Sequence, residues 1–175
     1  NKQKKSKKKI VVKNSLKLLT EASSILRENL SSKIISITGS CGKTSLKELT
    51  GRSLKKISRT TYSPKSFNNK YGVPLSLFNL KKNDEFGIFE IGMDKKGEID
   101  YLSKIIKPDV GVITNISYAH IKNFKNISQI ALAKSEIIKN INDDGYLVLN
   151  KDDKFYSFHK KIALKRNLKI LSFSL

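Results

Sequence analysis

Read for its apolar positions, the chain alternates short hydrophobic runs with amphipathic stretches. "KIISIT" (33–38), "FGIFEIG" (86–92), "DVGVITNI" (109–116), "GYLVLN" (145–150) and "LKILSF" (168–173) are brief, β-branched-rich and bounded by turns, which predicts strands. "RTTY" (59–62) adds a shorter candidate. Between them, helical spacing is predicted over 15–30, 44–57, 74–80, 98–107, 127–141 and 153–165. In the first of these Leu16, Leu19, Ile25, Leu26 and Leu30 share a side behind an N-cap at Asn14 or Ser15. In the second, Leu46, Leu49, Leu54 and Ile57 are expected to face the core. Strand and helix in strict turn predict an α/β domain, a mostly parallel sheet flanked by helices.

Composition narrows this little. At 175 residues, 38% hydrophobic and 29% charged, the chain can bury one core and is not of the disordered type. No apolar run reaches the length of a membrane span and no signal-peptide core is present, so no membrane insertion is expected. The single cysteine, Cys41, excludes an internal disulfide and fits a cytoplasmic setting. The net charge of +20 invites a nucleic-acid reading. Many of the lysines, however, crowd into residues 1–13, a basic tail or linker. The rest are scattered without interleaved aromatics, which favours solvated helix faces over a specific nucleic-acid surface.

The chemistry concentrates in "TGSCGKTS", Thr38 to Ser45, between a predicted strand and a predicted helix. Gly39 and Gly42 let the backbone curl its N–H groups around an anion, and the helix start adds unpaired donors and positive dipole. Lys43 can reach phosphate oxygens, and the Thr44 hydroxyl suits a magnesium ion. The alternative is a plain turn with Lys43 exposed, and a glycine expected in the common phosphate-loop spacing is replaced by Ile37. At the other strand ends, Glu90 is either a metal ligand or a salt-bridge partner of some lysine. Thr114 and Asn115 end the next strand. His120, in the loop beyond, is a surface group or a ligand, and Lys134, at the edge of an apolar helix face, would by itself snorkel to solvent. His159 is expected at the surface.

Together, "ITGSCGKTSLKEL", "SFNNKYGVPLSL", "FEIGMDKKGEIDYL", "KPDVGVITNISYAHIKNF" and "IALAKSEI", in that order, resemble the central ATPase domain of the Mur ligases. "DDGYLVLNKDD" continues the likeness, and "FNNKYGVP" with "GEIDYL" sets it apart from the folylpolyglutamate synthases. The resemblance implies ATP and Mg2+ as cofactors, with Thr38, Gly39, Ser40, Cys41, Gly42, Lys43, Thr44 and Ser45 around the phosphates. Asn68, Asn69 and Asn115 match polar positions near the phosphate and acyl-acceptor end. It gives Thr44, Glu90, His120 and, if carbamylated, Lys134 as metal ligands, with Lys43, His120 and Lys134 as catalytic groups. Cys41 stands where many relatives have Asn or a small residue.

The implied reaction is ATP-dependent amide-bond formation in peptidoglycan precursor synthesis, through an acyl phosphate. D-Ala-D-Ala and a UDP-MurNAc-peptide are the small-molecule partners of the branch resembled, and a monomer is expected. By the same likeness residues 1–14 are a tail, 15–32 a linker helix and 33–175 the ATP-binding domain, incomplete at its C-terminal end. The family's UDP-sugar and C-terminal domains are not visible, so the piece alone is expected to turn over little or not at all. The rivals are another phosphate-loop NTPase or kinase, and a basic nucleic-acid-binding module.

Overall fold

Runs such as Ile34–Ile37 and Ile88–Phe89 are too short for helices and too apolar to lie open, and they become the buried strands of one sheet. The computed structural model describes residues 11–118 and 123–174. Its strands are β1 (Lys33–Thr38), β2 (Thr60–Tyr62), β3 (Phe86–Glu90), β4 (Val110–Ile113), β5 (Tyr146–Asn150) and β6 (Lys169–Phe173). All pairings are parallel, in the order β2-β3-β1-β4-β5-β6. The helices are α1 (Ser15–Glu28), α2 (Lys43–Leu54), α3 (Gly72–Leu77), α4 (Glu98–Ile106), α5 (Ile127–Lys134) and α6 (Tyr156–Lys165). The expected α/β architecture is borne out.

Alternation along β1 divides the interior. Ile34 joins the large core with residues of α3, α4, α5 and α6, whereas Ile37 packs with Ile88, Val112, Leu46 and Leu54 beneath α2. The N-cap at Asn14 is as expected: its side chain accepts from the Lys17 amide at 2.9 Å. Arg27 then fastens α1 to the end of α4, donating from Nε to the Ile106 carbonyl at 2.7 Å and from Nη2 to that of Lys107 at 3.1 Å.

Several expectations are corrected. Helix α2 ends at Leu54, three residues before the expected end, so Ile57 lies in the turn beyond it, 81% exposed. The helix is rolled so that Leu46 and Leu54 face the core while Leu49 is 66% exposed. Its buried residues are Lys47 and Gly51, because a Cβ at Gly51 would stand 2.4 Å from Tyr62 Cδ1, and the helix approaches β2 through that gap. The helix predicted over 127–141 becomes α5 followed by a 3-10 segment, Ser135–Asn140. The tightened turn sets Glu136 under the start of α4, where its carboxylate accepts from the amides of Gly97 (2.8 Å) and Asp100 (3.1 Å). The lysines are not all on solvated faces, since Lys47 and Lys134 are buried.

His159 is not a surface residue. It is buried, with Nε2 3.1 Å from the Ala131 carbonyl, so Nε2 bears the hydrogen and donates. Burial is the main cause that pushes its pKa below the ordinary value. The native state therefore resists a proton that the unfolded chain accepts, and stability should fall as pH drops below about 6.5. Urea midpoints between pH 7 and 5 should decline less in His159→Leu than in the parent chain; parallel declines would contradict this.

Candidate active site

The chain leaves β1 for β2 and β3 on one side of it, then returns to β4 on the other, so β1 marks the switch point of the sheet. Ligands of open α/β sheets gather beyond the strand ends at such a point. There the loop 39–42 joins β1 to α2. Gly39 has φ +146, and a Cβ on it would fall 1.8 Å from Thr114 Oγ1, so only glycine fits. Gly42, at φ +80, is the N-cap of α2 and offers no capping side chain. The end of β4 pins the loop: Ser40 N donates to the Asn115 carbonyl (2.9 Å), Cys41 N to Asn115 Oδ1 (3.0 Å), and Thr114 Oγ1 to the Cys41 carbonyl (2.6 Å). The amides of Gly42, Lys43, Thr44 and Ser45 have no acceptor among the described residues. Four orphan donors on a positive helix end form a cradle for an anion.

Two lysines converge on this loop. Lys43 Nζ and Lys134 Nζ each donate to the Gly39 carbonyl at 2.9 Å, the second from a site 2% exposed. Burial first, and the Lys43 charge second, bring Lys134 from 10.5 down to about 7. On the other side Glu90 ends β3, 1% exposed. Its Oε2 accepts from Thr44 Oγ1 at 2.7 Å and its Oε1 from Asn68 Nδ2 at 2.6 Å. No Lys or Arg pairs with it among the described residues. A carboxylate and a hydroxyl oxygen in contact, beside orphan amides, fit the hard-oxygen preference of Mg2+ next to phosphate.

The structure thus gathers Gly39, Gly42, Lys43, Thr44, Asn68, Glu90 and Lys134. Asn115 buttresses the loop, and Asn69 is spent on the start of α3, its Oδ1 accepting from the Tyr71 and Gly72 amides at 3.1 and 2.9 Å. Cys41 and Ser45 are exposed at the mouth, Ser40 is buried against Ser117, and the Thr38 hydroxyl is buried without a partner among the described residues. His120 lies outside the described residues, as does most of the basic tail. No group of three His, Cys, Asp or Glu forms among the described residues. A cleft of about 720 Å3 runs from Lys43 and Lys134 past Asn68 to Tyr71, Met93, Tyr101 and Leu16. Sequence reasoning missed Lys47, whose signal was its place one helical turn before Gly51 on the close-packed side of α2.

A glycine loop opening at the switch point of a parallel sheet, its helix donors unspent, defines a phosphate-loop α/β domain. Within that class the chain belongs to the Mur ligase family: the model of the Mur ligase middle domain matches residues 37–175. Over 166 residues it is 38% identical to the UDP-N-acetylmuramoyl-tripeptide–D-alanyl-D-alanine ligase of Buchnera aphidicola (subsp. Baizongia pistaciae), covering 95% of this chain and 36% of that protein. MurF from Acinetobacter baumannii superposes with a TM-score of 0.88 at 35% identity, over 94% of this chain and 36% of that one. MurF ligase from Thermotoga maritima, solved in complex with ADP, gives 0.85 at 30% identity, over 99% and 40%. The chain spans somewhat over a third of the length of these relatives. Among the described residues no helix is long and apolar enough to cross a membrane.

Proposed function

We propose that this chain is the ATP-binding part of a ligase that joins D-Ala-D-Ala to UDP-MurNAc-tripeptide. The observation behind this reading is the convergence of Lys43, the free amides of residues 42–45 and the Thr44–Glu90 pair on one end of the sheet. The loop amides and Lys43 hold the ATP phosphates, Lys43 giving up the Gly39 carbonyl for phosphate oxygens. Thr44 and Glu90 hold Mg2+, with His120 as a further ligand. Bound Mg2+ neutralises charge on the transferring phosphoryl group. The terminal carboxylate of the peptide attacks the γ-phosphorus, and the bond to ADP breaks. The D-Ala-D-Ala amine then attacks the acyl carbon, loses a proton, and phosphate leaves. The cleft beyond Lys134 and Asn68 gives the carboxylate a path to the phosphates.

Lys134 has a part that an ordinary lysine could not play. With its pKa near 7, much of it is a neutral amine at cellular pH. Such an amine adds CO2 and releases a proton, leaving a carbamate anion in place of a cation. We assign that form to Lys134, as an oxygen ligand beside the phosphates. A carbonyl-13C signal in protein equilibrated with 13CO2, absent in Lys134→Met, is the expected sign. The reaction is placed in the cytoplasm and the protein is taken to act as a monomer.

The test uses the protein that contains this chain, with UDP-MurNAc-tripeptide, D-Ala-D-Ala, ATP and Mg2+. Pentapeptide product should form, and Lys43→Ala should lower the rate at least about a hundredfold. Equal rates would refute the phosphate-loop assignment. ATP hydrolysis or phosphotransfer indifferent to the peptide would favour another NTPase or kinase.

A further inference from the structure

We propose that Lys47 is a positioning residue, a buried latch that ties the loop bearing Ser66 and Asn68 to the helix bearing Lys43 and Thr44. The inference rests on the ligase reading only for what the latch serves. Lys47 sits one turn beyond Lys43 on α2 and is fully buried. An ammonium has three hydrogens, and here three acceptors meet it: the Ser63 carbonyl at 2.8 Å, the Lys65 carbonyl, and Glu48 Oε1 at 3.0 Å. A buried lysine is costly unless so satisfied, and where only packing is needed an apolar side chain would do.

Both carbonyls belong to the segment between β2 and α3. Two residues beyond Ser63 the chain passes through Lys65 at φ +47, a left-handed conformation that the Lys47 contact helps to hold. The segment then delivers Ser66 Oγ to 3.5 Å from Thr44 Oγ1, and Asn68 Nδ2 to 2.6 Å from Glu90 Oε1. It is also tied to the sheet beyond Glu90, since the Gly92 amide donates to the Asn68 carbonyl at 2.8 Å. One helix therefore supplies the hydroxyl partner of Glu90 directly and, through Lys47, fixes the loop that supplies its amide partner. Without the latch, Asn68 is free to release one carboxylate oxygen. The orientation of Glu90 toward a cation, rather than the anion cradle itself, is what suffers.

The readouts are hydrogen exchange in the nucleotide-free protein and the Mg2+ requirement for AMP-PNP binding by calorimetry. In Lys47→Met, the amides of residues 66–72 should exchange at least tenfold faster while those of β1 and β3 keep their protection. The Mg2+ concentration for half-maximal AMP-PNP binding should rise at least tenfold, against a less than threefold change in metal-free affinity. Lys47→Met/Asn68→Ala should need no more Mg2+ than Asn68→Ala alone, because both act through Glu90. Unchanged exchange at 66–72, or additive effects in the double variant, would overturn the proposal. If Lys47→Met does not fold, Lys65→Pro decides: proline cannot adopt that positive φ, so the Lys65 carbonyl moves while Lys47 stays. It should raise the Mg2+ requirement to the same degree, and a parental requirement would overturn the latch. A parent protein with no Mg2+-dependent AMP-PNP binding would instead count against the ligase reading, and the exchange data would still decide the latch.

Discussion

Lys134→Met should do two opposite things at once: abolish ligation and make the nucleotide-free protein more stable. The fall in turnover is expected to reach about a thousandfold, the scale for losing a preorganised charged group at a phosphoryl-transfer site. The stability gain follows from linkage. The folded-state pKa of Lys134 is about 7 against 10.5 in the unfolded chain. Between these values the unfolded state binds more protons, so parental stability rises with pH across that window. Below about pH 7 both states are protonated and the penalty is constant. At one pKa unit per 1.36 kcal/mol, less the hydrogen bond to the Gly39 carbonyl, methionine should add about 2–3 kcal/mol at pH 7. The advantage should shrink steadily toward pH 10. Urea unfolding at several pH values in CO2-free buffer measures it. A variant less stable than the parent at pH 7, or an advantage that does not change with pH, would show that burial does not dominate at this site. An active variant would remove Lys134 from the mechanism.

Such a tension between stability and function is what makes Lys134 hard to recognise from sequence. Strand periodicity, the two glycines and the strand-loop-helix order all act over a few residues, so the sheet, the phosphate loop and the position of Glu90 were legible. The placement of the lysines is set at long range. Lys134 is held by a carbonyl 95 residues away in sequence and Lys47 by one 16 residues away, and neither acceptor leaves a mark beside its donor. Charge alone sends both to the surface, and only the family resemblance singles out Lys134. The roll of α2 is a similar case. The leucine spacing points Leu49 and Ile57 inward, but the helix stops at Leu54, before Ile57, and a glycine facing Tyr62 lets it settle with Leu49 outward. His159 was misplaced because its stabilising contact, the Ala131 carbonyl, lies on another helix. In each instance a small residue or a backbone acceptor decided the outcome against side-chain polarity.

Glu90→Gln should leave the fold intact and strip the site of its response to Mg2+. Glu90 is buried with two neutral donors, Thr44 and Asn68, and has no cationic partner among the described residues. Burying a carboxylate without a counter-charge is unfavourable, so the neutral amide should cost little and can add up to about 1 kcal/mol of nucleotide-free stability. The same change removes the only buried charge that faces the phosphate cradle from β3. The glutamine oxygen can still accept from Asn68 Nδ2 and its NH2 can donate to the Thr44 hydroxyl oxygen, so the local contacts survive while the negative charge is lost. Turnover should fall by about a thousandfold and should not recover at raised Mg2+, while metal-free nucleotide affinity changes little, because the loop amides and Lys43 are untouched. Glu90→Asp separates charge from reach. It keeps the carboxylate but shortens the side chain by one carbon–carbon bond, so it cannot span both Thr44 and Asn68, and intermediate activity that improves with added Mg2+ is expected. Calorimetric titration of AMP-PNP with and without Mg2+ in all three proteins distinguishes these cases. If Glu90→Gln binds Mg·AMP-PNP as the parent does, the acidic end of β3 is a structural group, and the metal must be held elsewhere in the cleft.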